Sequence, residues 1–163
     1  MGCDKEEYKA RLVARGFQEL EKPQADSPTA QRESFKLFMA LCSICDVESL
    51  KSVDIKAAFL QAEDLDRDVY MEAPKDVRKE GFLWRLKPLY GLNDASRKFW
   101  LKAKKIFQDE GMEPMPGDQA SYVKRREGKP IGLVLTHVDD FTMGGTNDLV
   151  EGIIERLKKE LTV

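Results

Sequence analysis

The sequence predicts an α+β domain in which an antiparallel sheet packs on helices. Three observations point there. Short β-rich runs recur at residues 69–73, 82–87, 120–124 and 133–145, and Pro74, Pro88 or Gly144–Gly145 stops several of them. Three stretches, 29–45, 95–107 and 149–161, carry apolar residues at helical spacing. The length of 163 residues, with 42% hydrophobic and 34% charged, suits one good core or two intimately packed subdomains.

Composition narrows the class further. No run approaches the roughly 18 apolar residues of a membrane span, and the start MGCDKEEYKA has no apolar signal core. An intracellular protein without a membrane partner is expected. Met1-Gly2-Cys3 invites a myristoylation reading, which Glu6 rejects because that motif wants Ser or Thr there. Three cysteines cannot make a disulfide framework and fit a reducing compartment. Cys42-x-x-Cys45 lacks a second pair to complete a zinc site, and His137 is the only histidine, so buried helix cysteines are the preferred reading. A net charge of −2 argues against coating nucleic acid by bulk electrostatics and leaves only local basic patches for a polyanion.

In chain order, residues 8–15, YKARLVAR, read as a strand closed by Gly16. A period of two places Lys9, Arg11 and Arg15 on one face with Val13, either to bind phosphate or as a solvated face. Residues 19–28 are a loop, and Ser27-Pro28-Thr29 signals a helix over 29–45 with Phe35, Phe38, Leu41, Cys42 and Cys45 inward. Residues 50–60 begin as a strand around Val53 and Ile55 and give way to a short helical segment through Ala57, Ala58 and Phe59. Asp54 points away from the face that Val53 and Ile55 bury. It is either a ligand held at a strand exit or a water-exposed acid.

Residues 64–68 form an acidic loop, and 69–73 with 82–87 form a small antiparallel layer. LYGLNDASRKFW, 89–100, turns at Gly91 and enters a helix capped by Asp94, with Ala95, Phe99, Ala103 and Ile106 inward and Gly111 past its end. From 95 to 107 there are five basic residues, Arg97, Lys98, Lys102, Lys104 and Lys105, and no acidic one. They form a solvated face or follow a nucleic-acid backbone. Residues 111–118 are a loop, 124–130 a hairpin connection, and Asn147 or Asp148 caps the last helix, whose stripe is Leu149, Ile153, Ile154, Leu157 and Leu161.

Residues 133–145, LVLTHVDDFTMGG, read as a hairpin with Asp139-Asp140 at its tip. Asp-Asp is a poor tip, because Asn-Gly or Asp-Gly supplies positive φ at less steric cost. Two carboxylates this close raise each other's pKa unless a cation lies between them, and a hard divalent ion suits the pair. The plain alternative is a solvated turn with two surface acids. A third aspartate in a similar setting, Asp54, favours the metal reading.

Five words, YKARLVARGF, SVDIKAAFLQ, DVYMEAPKD, LKPLYGLNDASRKFW and HVDDFTMGG, occur in an order that resembles the reverse transcriptases of copia-type LTR retrotransposons. The resemblance implies the fingers and palm of a right-hand polymerase, with fingers at 1–28 and 62–93 and palm at 29–61 and 94–163. It implies template-directed addition of deoxynucleotides to a primer on an RNA or DNA template. Asp54, Asp139 and Asp140 would hold two Mg²⁺ ions, with Mn²⁺ as an alternative. Lys9 and Arg11 would neutralise the triphosphate, and Phe59 would lie beneath the sugar and select deoxynucleotides. Tyr90 and Gly91 would flank the incoming base, and Arg97, Lys98 and Lys102 would contact nucleic acid. A cytoplasmic, virus-like-particle setting follows from the same resemblance.

Two departures stand out. His137 occupies a place where many members have tyrosine. The family's palm continues past a helix like 149–161 into a further strand and a thumb, so the thumb is expected to be missing, as are RNase H and integrase segments. The rival expectation is an inactive retroelement remnant that keeps at most nucleic-acid affinity.

Overall fold

Turn chemistry and strand pairing build the centre of the molecule. In the computed structural model, which describes residues 10–44 and 47–163, β5 (Asp118–Arg126) and β6 (Lys129–His137) join through Glu127-Gly128. Both loop residues have positive φ, 54° and 78°, as the tightest hairpins require, and Gly128 adopts that region freely. Strand β7 (Asp140–Gly145) folds back on β6, and β1 (Ser49–Asp54) pairs with the far side of β7. With the short β4 (Glu113–Met115) on the opposite edge, the five-stranded antiparallel order is β1-β7-β6-β5-β4. A separate pair, β2 (Tyr70–Glu72) with β3 (Leu83–Arg85), forms the small layer that the sequence predicts.

The two faces of the large sheet are covered unequally. Helices α2 (Ala95–Asp109) and α3 (Asn147–Glu160) bury Phe99, Phe107, Ile153 and Leu157 against Val53, Val134, Phe141 and Met143. The Phe107 ring stands 5.0 Å from Tyr122 and 5.3 Å, edge-on, from Phe141. Burial of each such ring contributes about 1.5–3 kcal/mol. On the other face α1 (Arg32–Ile44) lays Phe38 on Val123, Leu133 and Leu135. It leaves the β1/β7 end of that face open, where Ser52, Asp54 and Asp140 are exposed.

Several expectations are corrected. The described part of 8–15 is not a strand: Ala14 N–H donates to the Tyr90 carbonyl (2.7 Å) and Gly16 N–H to that of Gly91 (3.1 Å). Its neighbour is a turn, which offers two acceptors rather than a ladder. Helix α1 starts at Arg32, not 29, because the Asp118 carboxylate accepts from Gln31 N–H (3.0 Å) and Ser34 Oγ (2.5 Å) and so caps the helix from β5. Phe35 faces outward, 51% exposed, and Cys45 lies outside the described residues. Asp94 holds the N-cap position of α2 but makes no capping bond, since its carboxylate is taken by Arg67 at 2.5 Å. Thr146 is the N-cap residue of α3, and Glu48 from outside the helix accepts the Asn147 N–H at 2.9 Å. The loop expected at 111–118 contains β4, whose Pro114 is tolerated because the strand is an edge.

Candidate functional site

The register of β1, β7 and β6 lines up three side chains across the open face. Asp54 is the cross-strand partner of Asp140, and Asp140 is the partner of His137 on its other side. All three are exposed, while their neighbours Val53 and Phe141 point into the helical core. Asp139 closes the row. It is half-buried at the β6–β7 tip, and its carbonyl accepts the Ile55 N–H at 3.0 Å, which pins the tip to the end of β1. Asp54 thus stands across from Asp140, and Asp139 lies next to it at the hairpin tip.

The tip differs from the expected one. Its two loop residues are Val138 and Asp139, and Asp140 already belongs to β7. Val138 carries φ 57°, a left-handed conformation that a β-branched residue adopts only under strain. Such strain is concentrated where a scaffold holds functional groups in a set geometry. A second left-handed residue, Ala57 at φ 49°, sits just beyond Asp54 and opens the short turn Ala58–Gln61.

The three aspartates offer oxygen donors, and the His137 imidazole lies across from Asp140 on β6. Among the described residues, no group of three or more His, Cys, Asp or Glu side chains lies in a position to hold a metal ion. Mg²⁺ in phosphoryl-transfer sites takes one or two carboxylates and completes its shell with water and substrate phosphates.

A stack follows β1 in the chain. The ring of Phe59, in the Ala58–Gln61 turn, lies 4.7 Å from that of Tyr90 with a 47° tilt, and the Arg11 guanidinium lies 4.6 Å from the Tyr90 centroid. The turn is tied down by Lys102, whose Nζ donates to the Gln61 carbonyl at 2.7 Å. Gly91 has φ 92°, and a Cβ there would lie 2.0 Å from the Ala14 carbonyl oxygen, so only glycine lets residues 13–16 approach. Lys9 lies outside the described residues.

The basic helix is used differently from the expectation. Lys98 is buried and its ammonium meets Asp66 at 2.7 Å, which holds the Asp66 carboxyl below the usual range. An internal tie of this kind removes Lys98 from the cations free to follow a nucleic-acid backbone. Arg97 donates to the Asp26 carbonyl at 3.0 Å and lies 5.7 Å from the Trp100 ring. Lys102 is half-buried.

A cleft of about 650 Å³ lies away from the aspartates, between residues 12–19 and β2. Sequence reasoning missed the network at its rim. Arg67 bridges Glu19 and Asp94, and burial of all three makes it a tie between segments far apart in the chain. The available signal was Arg67 itself, a lone cation in the acidic run EDLDRD.

Comparison with known proteins gives the family. Residues 3–163 match the family model described as reverse transcriptase (RNA-dependent DNA polymerase). Among curated proteins, the chain is similar to the retrovirus-related Pol polyprotein from transposon TNT 1-94 of Nicotiana tabacum, 30% identical over 167 residues. That match covers 98% of this chain and 12% of the relative, so the chain spans a small part of the polyprotein's length. No solved structure matches. With its whole described fold inside the matched region, the chain belongs to the reverse transcriptase (RNA-dependent DNA polymerase) family, as a domain of a copia-type retrotransposon Pol polyprotein.

Proposed function

We propose that this chain is the core of an RNA-directed DNA polymerase, which adds deoxynucleotides to a primer paired with an RNA or DNA template. The observation that carries the proposal is the cross-strand pairing of Asp54 with Asp140, beside an Asp139 whose carbonyl is bonded to Ile55 N–H. Residues 1–28 and 62–93 would serve as fingers, and 29–61 with 94–163 as palm. A thumb, RNase H and integrase would be partners from the rest of the polyprotein, in a cytoplasmic virus-like particle.

Asp54, Asp139 and Asp140 would hold two Mg²⁺ ions, with Mn²⁺ as an alternative. When bound, such ions activate a hydroxyl nucleophile and offset charge on the phosphoryl oxygens. The remaining roles belong to side chains. Lys9 and Arg11 bind the triphosphate as counter-charges. Phe59 supports the sugar from below and excludes a 2′-hydroxyl. Tyr90 and Gly91 bound the space for the base, and Arg97 and Lys102 contact nucleic acid.

The test is primer extension by the full chain on a primed template, with Asp54→Asn, Asp139→Asn and Asp140→Asn beside the parent. Each variant is expected to lose at least a hundredfold in rate while keeping the parent's melting temperature within a few degrees. A parent that extends no more primer than its Asp140→Asn variant would leave the inert, nucleic-acid-binding remnant as the better account.

A further inference from the structure

We propose that Tyr90 is a positioning residue that sets the places of both Arg11 and Phe59. Triphosphate capture and sugar discrimination would then be coupled through one ring. The inference rests on the polymerase reading above and goes beyond it, because that reading treats cation and aromatic as separate parts.

The geometry has two links that share Tyr90. On one side the Arg11 guanidinium lies 4.6 Å from the ring centroid, a cation–π distance. On the other, the Phe59 ring lies 4.7 Å away, within the range of attractive aromatic pairs. Arg11 sits in an irregular, exposed segment, and among the described residues no carboxylate pairs with it. Without the ring, a side chain with this much rotamer freedom would sample solvent. Phe59 stands at the seam of two apolar clusters, one under α2 and α3 and one around Ala14, Leu89 and Leu92. The Tyr90 ring is one of the walls that fix its tilt.

The backbone makes the coupling stiff. The Tyr90 carbonyl accepts from Ala14 and the Gly91 carbonyl from Gly16, so the segment bearing Arg11 is tied to the turn bearing Tyr90. A Cβ on Gly16 would lie 2.1 Å from the Gly91 carbonyl oxygen, which shows how close the two backbones run. Moving the ring cannot be absorbed by sliding one segment past the other.

The experiment measures equilibrium binding of a Mg²⁺-complexed dNTP, and of the matching rNTP, to the full chain. It compares the parent, Tyr90→Phe, Tyr90→Leu, Arg11→Met and the Tyr90→Leu/Arg11→Met double variant, with melting temperatures recorded for all. Tyr90→Phe keeps both ring contacts and is expected to bind within about twofold of the parent. Tyr90→Leu is expected to weaken dNTP binding about three- to tenfold and also to narrow the dNTP-to-rNTP ratio, which a loss of packing alone would not do. The double variant is expected to bind no more weakly than the worse single one, because both changes break the same contact. Losses that multiply in the double variant, or an unchanged dNTP-to-rNTP ratio in Tyr90→Leu, would overturn the coupling while leaving the polymerase reading in place. A parent that binds neither nucleotide would overturn both.

Discussion

Two tasks compete for Phe59. Half-buried and packed against both apolar clusters, it contributes to stability, yet its turn places it directly after the strand that ends in Asp54. If the ring limits the space below the sugar, Phe59→Val should lower the ratio of kcat/KM for dNTP over rNTP by at least tenfold. Truncating a fully buried Phe to Ala costs about 3–5 kcal/mol, and valine at a half-buried site should cost clearly less, so the folded protein should survive for the assay. Equal discrimination by variant and parent would leave Phe59 as packing. At this scale the sequence is informative where a residue's role depends on its neighbours in the chain. The strand alternation around Val53 and Ile55 puts Asp54 on the outer face, as observed. It is silent where the partner is remote. Lys98 reads as one more cation on a basic helix, and only the fold brings Asp66 to it. The left-handed Val138 was equally hidden, because β-branched residues carry no signal for that conformation.

At the scale of elements, apolar periodicity located α2, α3 and the β6–β7 hairpin, since each buries a face on the same core. Element ends were less legible, because caps came from elsewhere in the chain: Asp118 starts α1, and Glu48 satisfies α3. Asp118 is the stronger case. Burial pushes its carboxyl upward. Donors on Ser34, Gln31, Ser121 and Ala120 outweigh this, so its pKa lies below the ordinary value. A lowered folded-state pKa contributes stability that is present above the unfolded value, near 3.8, and is lost as pH falls through the folded value. Asp118→Asn replaces an acceptor oxygen with a donor facing other donors and should destabilise the protein at neutral pH by about 1–3 kcal/mol. It should also flatten the fall in stability below about pH 4. Urea unfolding from pH 3 to 7 checks both effects, and a variant with the parent's midpoint at pH 7 would show that α1 does not depend on this cap.

At the scale of the molecule, the small β2–β3 layer and the large sheet are separate hydrogen-bonded units. Besides the Lys98–Asp66 pair and the apolar cluster around Leu89 and Leu92, two seams join the segments around them. One is the zipper between residues 14–16 and the Tyr90–Gly91 turn. The other is ionic: Arg67 joins Glu19, from the irregular segment after Gly16, to Asp94 at the start of α2. Arg67 and Glu19 are 15% and 13% exposed and Asp94 only 6%, so water screens these charges weakly. The two carboxylates push the guanidinium pKa up, against the opposing effect of burial. Breaking such a group by removing its centre leaves two buried anions together, and Arg67→Ala should cost about 3–5 kcal/mol. Lysine keeps the charge but not the planar fork that reaches both acids, so Arg67→Lys should recover only part of that loss. If the network also sets the small layer against the large sheet, Arg67→Lys should raise the apparent dNTP KM while leaving the melting temperature closer to the parent's than Arg67→Ala does. Limited proteolysis offers a second readout, with cleavage expected to appear first between residues 19 and 28, the loop that Glu19 anchors. Parent-like stability in Arg67→Ala would mean that the zipper and the remaining contacts hold the two units without it, and Arg67 would then be an ion pair of little consequence.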